Sequence, residues 1–189
     1  MAEYECSIFL RGDVASGKTS LLYRFACDFC DGACEITIDD SITHVFDVDG
    51  VRVKCNFLDL EGHDLGPSHD IYMHQADGFV MVYRSAFRRS FDEISWMHDS
   101  ALQRLEVDSF PMVLVATGCD ESRQEVPPSE GQKLADSWGC PFFVASAQTG
   151  QNVKEVFHEA VRQIWRRSKG FVNINDNTEE KKKGNCALM

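Results

Sequence analysis

Apolar and polar positions follow two different rhythms along the chain. Short continuous apolar runs, "CSIFL" (6–10), "GFVMVY" (78–83), "FPMVLVAT" (110–117) and "CPFFVAS" (140–146), have the length of strands buried on both faces. Longer stretches with helical spacing lie between and after them. These are "GKTSLLYRFACDFC", where Leu21, Leu22 and Phe25 share a face, then "RRSFDEISWMHDSALQRLEV", "SEGQKLADSW" and "NVKEVFHEAVRQIWRRS". Two further runs alternate with period two, "SITHVFDVD" and "VRVKCNFLDL", and Asp49-Gly50 between them is a hairpin turn signal. The pattern predicts a mainly parallel sheet with helices on both faces and one hairpin near the start. After residue 168 apolar content drops and the helical period stops. The expected organisation is therefore a domain over 1–168 and a flexible tail over 169–189, with no internal repeat.

Composition narrows the classes. The 189 residues are 43% apolar and 26% charged, the balance of an ordinary soluble domain, with no long uncharged run and no apolar N-terminal signal. Without a secretory signal, the eight cysteines read as reduced thiols in the cytosol. A formal charge of −11 argues against general nucleic-acid binding. The charge is uneven, because "WRRSK" and "KKK" make the last quarter locally basic.

The first candidate chemistry is "GDVASGKT" (12–19), a match to G-x-x-x-x-G-K-[ST] set between a predicted strand and a predicted helix. Gly12 and Gly17 permit the tight turn that aims backbone N–H groups inward, and Asp13, Val14, Ala15, Ser16 and Ser20 complete the loop and its exit. Lys18 has the reach for β- and γ-phosphates, and Thr19 offers a hydroxyl to Mg²⁺. Three more segments end predicted strands, "DLEGH" (59–63), "TGCD" (117–120) and "ASA" (145–147), so all four lie where open α/β sheets bind ligands.

With these segments in this order, and Thr37 within "EITIDDS", the chain closely resembles the Ras-like small GTPases from residue 5 to about 168. That resemblance implies the P-loop GTPase fold, a six-stranded mostly parallel α/β sheet with one antiparallel strand and helices on both faces. It implies GTP/GDP and Mg²⁺ as ligands. Asp120 would accept from the guanine N1 and N2 edge, which rejects adenine. The Ala147 N–H would meet the guanine oxygen while Ser146 braces the loop, beside Thr117 and Gln148. Thr19, Thr37 and Asp59 would hold the metal, and Gly62 would donate to the γ-phosphate, so that the segments around Thr37 and Gly62 switch with nucleotide state. Lys18, Thr37, Gly62 and His63 form the implied catalytic set. Glu35, Ile36, Ile38, Asp39, Asp40 and Ser41 form the implied effector edge. Exchange factors and GTPase-activating proteins are the further partners this implies.

The departures from the family pattern bear most on activity. Val14 stands where efficient family members carry glycine, in the space that an incoming arginine finger needs, and such a finger supplies ~10³ to 10⁵ in rate. His63 replaces the water-orienting glutamine, and Glu61 brings a carboxylate close to the phosphates. Gly118 replaces the lysine that packs along the guanine, Cys30 occupies the stacking phenylalanine position, Thr117 stands for asparagine, and Gln148 replaces a lysine at the periphery. The expectation is a switch with slow GTP hydrolysis and fast nucleotide exchange. A nucleotide-independent binding module is the competing reading, favoured by the same departures.

Two other features complete the inventory. Cys27, Cys30 and Cys34 have C-x2-C-x3-C spacing but no fourth ligand nearby in sequence. The terminal "KKKGNCALM" ends in a farnesyl-type C-a-a-X motif at Cys186. Lys181, Lys182 and Lys183 supply the second signal that stable anchoring needs, which predicts the cytoplasmic face of a membrane, the plasma membrane above all.

Overall fold

A computed structural model of the chain describes residues 4–29, 35–36, 41–59 and 67–168. In chain order the elements are β1 (Tyr4–Arg11), α1 (Lys18–Phe29), β2 (Glu35–Ile36), β3 (Ser41–Val48), β4 (Val51–Asp59), α2 (Pro67–Gln75) and β5 (Gly78–Arg84). They continue with α3 (Arg88–Leu105), β6 (Met112–Thr117), α4 (Pro128–Trp138), β7 (Phe142–Val144) and α5 (Val153–Arg167). The strand order is β2-β3-β4-β1-β5-β6-β7. Strands β4, β1, β5, β6 and β7 run parallel, and β3 is antiparallel to β4. This is the expected six-stranded sheet, and two residues of β2 add a short antiparallel ladder on the free side of β3.

Alternation along the strands splits the core into two layers. Ile8, Leu10, Val80, Val82, Val113 and Val115 face α1 and α5 and pack with Phe25, Val156, Phe157 and Val161. Phe9, Phe79, Met81, Tyr83, Met112 and Leu114 face the other way, onto Met73 of α2, Ile94 and Met97 of α3, and Ala135 of α4. Both parities of β5 and β6 are therefore buried, which is why those strands read as unbroken apolar runs. On the α1/α5 side the packing is aromatic. Phe25 stacks on Phe157 at 4.3 Å between centroids and meets Phe46 edge-on at 4.9 Å.

The predicted hairpin closes at Asp49 and Gly50, whose φ angles of 54° and 83° suit a two-residue turn with both central residues left-handed. Arg162 of α5 clasps it, donating from Nε and Nη2 to the two Asp49 carboxylate oxygens at 2.7 and 2.6 Å. Helix α2 has no counterpart among the helices predicted above. Its apolar residues Ile71, Tyr72 and Met73 are consecutive rather than spaced by three and four, so no amphipathic period announces it. The run "CPFFVAS" forms only three residues of strand, because Pro141 precedes it and the chain departs into a loop after Ala145.

Candidate functional site

Parallel strands put their C-terminal ends on one edge of the sheet. Register aligns Leu10 with Asp59, Arg11 with Met81, Arg84 with Thr117, and Ala116 with Val144. The loops after β1, β6 and β7, with the last residue of β5, therefore open onto one cleft of ≈ 690 Å³, a size suited to a small-molecule ligand. Ala15, Gly17, Ser20, Thr117, Asp120, Ala147 and Gln148 all line it.

The loop over 12–17 turns back tightly enough to lie against β5. A Cβ on Gly12 would fall 2.1 Å from the Val82 carbonyl oxygen, so no side chain is tolerated there. Lys18 is buried at the first turn of α1, and its ammonium donates to the Gly12 and Asp13 carbonyl oxygens at 2.9 and 3.0 Å, inside the curl of the loop. Asp13 is also buried, its carboxylate accepting the Val14 N–H at 2.6 Å. Ser16 is fully buried, and its hydroxyl has no hydrogen-bond partner among the described residues. Val14 lies 58% exposed at the crest. A tight loop that curls around a buried ammonium and leads directly into the N-terminus of α1 fits an oxyanion such as phosphate.

Beside the loop, the Thr19 hydroxyl donates to Asp59 Oδ2 at 2.5 Å. The start of α1 and the end of β4 thus bring two hard oxygen donors together, a set that suits Mg²⁺. Among the described residues no group of three or more His, Cys, Asp or Glu forms a metal cluster, and Cys27 is an exposed free thiol.

The far half of the cleft is held by buried polar residues. The Thr117 hydroxyl bridges the Ser16 and Tyr83 carbonyl oxygens, at 2.5 and 3.1 Å, and so fixes the phosphate loop to the ends of β5 and β6. Ser146 is fully buried; its hydroxyl accepts the Thr149 N–H at 3.1 Å and its backbone pairs with Gly150 and Gln151. Asn152 donates to the Val144 carbonyl at 2.7 Å, closing the loop that presents Ala147. Asp120 is exposed to the cleft, and Gln148, read from sequence as peripheral, lines it as well.

Several cleft residues carry no motif. Tyr23, Arg24 and Asp28 come from α1, with Arg24 paired to Asp28 at 2.6 Å. Arg84, the last residue of β5, donates from Nε to Glu121 at 2.7 Å, and this partner holds its guanidinium above the usual range. The sole sequence signal for Arg84 is its place at a strand's C-terminal end. Of the other predicted positions, Ser41 opens β3, and Glu35 and Ile36 form β2. Thr37, Ile38, Asp39, Asp40, Glu61, Gly62, His63, Cys30, Cys34, Lys181, Lys182, Lys183 and Cys186 lie outside the described residues.

Comparison with known proteins agrees with this geometry. The Ras family model matches residues 7–166. The chain is 32% identical to Ras-like protein rasS of Dictyostelium discoideum, over 98% of this chain and all of that one. It is 28% identical to Ras-like protein 2 of Mucor circinelloides f. lusitanicus, over 98% and 94%. A phosphate-fitting loop, a paired threonine and aspartate and a strand-end cleft, on a sheet of this order, occur together in a chain that belongs to the Ras family of small GTPases.

Proposed function

We propose that the chain is a guanine-nucleotide switch that hydrolyses GTP slowly and exchanges nucleotide readily, acting at the cytoplasmic face of a membrane. The observation that carries this reading is the convergence of Lys18, Thr19, Asp59, Asp120 and Ala147 from four strand ends onto one edge of the sheet. In this reading Lys18 and the loop over 12–17 bind the phosphates. Asp120 and Ala147 recognise the guanine edge. Thr19 and Asp59, with Thr37, hold Mg²⁺, which when bound neutralises charge on the β- and γ-phosphates.

Slow hydrolysis follows from two positions. Val14 puts a branched side chain at the crest of the loop, where an activating arginine has to enter. His63 presents an imidazole in place of the amide that orients water in the family. Ready exchange follows from Gly118 and Cys30, which lack the packing groups of the family's base pocket. The segment over 35–41 is the effector edge in this reading. Cys186, once prenylated, and Lys181, Lys182 and Lys183 hold the switch to an anionic leaflet.

The test is to denature freshly purified protein, identify the released nucleotide by chromatography, and then follow single-turnover hydrolysis. Near-stoichiometric guanine nucleotide with a rate below that of ordinary family members is the expected result. Protein carrying none, and binding none in Mg²⁺, would replace this reading with that of a nucleotide-independent module.

A further inference from the structure

The family lysine at position 118 is missing, yet the space beside Gly118 is filled. A Cβ built on Gly118 falls 2.2 Å from the Glu121 carboxylate oxygen and 3.4 Å from Arg84 Cγ. The backbone there has φ of +70°, which also disfavours any side chain. Arg84 reaches this place from β5, where it is the register partner of Thr117 on β6. Its Nε is fixed by Glu121 at 2.7 Å, and its Nη1 lies 3.5 Å from the Ala15 carbonyl oxygen of the phosphate loop. Arg84, Glu121, Gly118 and Asp120 line the same cleft.

From this juxtaposition we infer that Arg84, oriented by Glu121, is the purine-packing residue of this chain, taking over from a neighbouring strand the task that position 118 performs elsewhere in the family. The inference rests on the guanine-nucleotide reading of the cleft. The chemistry is suitable: a guanidinium is planar and weakly hydrated, and it lies flat against aromatic surfaces where an ammonium does not. Glu121 removes much of the conformational freedom that would otherwise oppose stacking, and Asp120 stands one residue away to read the purine edge. Arg84 also links the base half of the cleft to the phosphate loop at Ala15, so one side chain touches both halves.

The experiment measures release of fluorescent GDP and of fluorescent GTP analogue from the full chain, in Mg²⁺, for the native protein, Arg84→Ala and Arg84→Lys. Arg84→Ala is expected to release both nucleotides roughly 5- to 150-fold faster, the range for losing one base-stacking partner. Arg84→Lys, which keeps the charge and loses the plane, falls between. Because the lost contact is with the base, the two nucleotides accelerate by the same factor. Gly118→Lys in the native background fails to slow release, since its side chain meets Glu121.

Release from Arg84→Ala at the native rate overturns the inference, as does a loss confined to one nucleotide, which would place Arg84's role at the phosphate loop alone. If Arg84→Ala does not fold, Arg84→Met, which keeps the stem, carries the same expectation of faster release. A native chain that binds ATP as well as GTP, or neither, overturns the guanine reading and this assignment with it. A native chain that retains GDP beside an unaffected Arg84→Ala overturns only the assignment.

Discussion

Val14 lies 58% exposed at the crest of the phosphate loop, and in the proposed function it stands where an activator's arginine enters. Val14→Gly is expected to raise activator-assisted single-turnover hydrolysis by ~10-fold or more, a fraction of the ~10³ to 10⁵ such a finger supplies. An unchanged rate would transfer the block to His63. Thr117 illustrates the opposite kind of residue. The sequence presents it as a mild variant of asparagine, whereas the structure buries it between Ser16 and Tyr83, where its hydroxyl ties loop to strand. Lys18, Thr19 and Asp120 could be singled out in the sequence because each sits in a short contiguous motif at a strand's end. Arg84 and Glu121 could not, because they are 37 residues apart and meet only after β5 and β6 pair.

Among the elements, α1 does two jobs. Its first turn carries Lys18 and Thr19, and its third buries Phe25 among Phe46, Phe57 and Phe157. The helix turn that carries Lys18 and Thr19 is thus anchored by an aromatic cluster two turns away. Phe25→Ala is expected to destabilise the chain by about 3 to 5 kcal/mol, read as a lowered urea midpoint with an unchanged slope. Nucleotide retention should weaken with it. A loss below about 1 kcal/mol would mean that the cluster collapses around the gap and that α1 is held chiefly by its other contacts. The strands and the longer helices could be read from periodicity, since burial on both faces or on one leaves a repeating mark. Helix α2 could not, because its residues 71–73 are apolar in succession and its position is set by tertiary contact, Met73 packing under β1 and Asp70 pairing with Arg104 of α3.

At the scale of the molecule, two buried imidazoles link stability to pH. His44, on β3 beside Phe57 of β4, is held below its ordinary value by burial. His158, on α5, is lowered first by burial and then by Lys154 and Arg162, with Asp49 and Glu155 opposing. Neither Nε2 has a hydrogen-bond partner among the described residues. Folded values lie below unfolded ones, so as pH falls below about 6.5 the unfolded chain takes up protons that the folded chain refuses. The stability is full above that pH and is lost as pH falls through the folded values, by up to about 1.4 kcal/mol per unit per group. Urea titrations at pH 7.5 and 5.5 should show a lower midpoint at the acid end. His44→Phe should shrink the difference, and an equal difference in the variant would remove His44 from the account. The net charge of −11 sets how such a molecule meets its own copies in solution, and the far side of the sheet adds to that. Its outermost strand, Phe142–Val144, follows a proline and is three residues long, so a neighbouring copy finds almost no row of open peptide groups to extend. While the fold is intact, that side gives strand stacking between copies little template, so the brevity of one element works in the same direction as the charge.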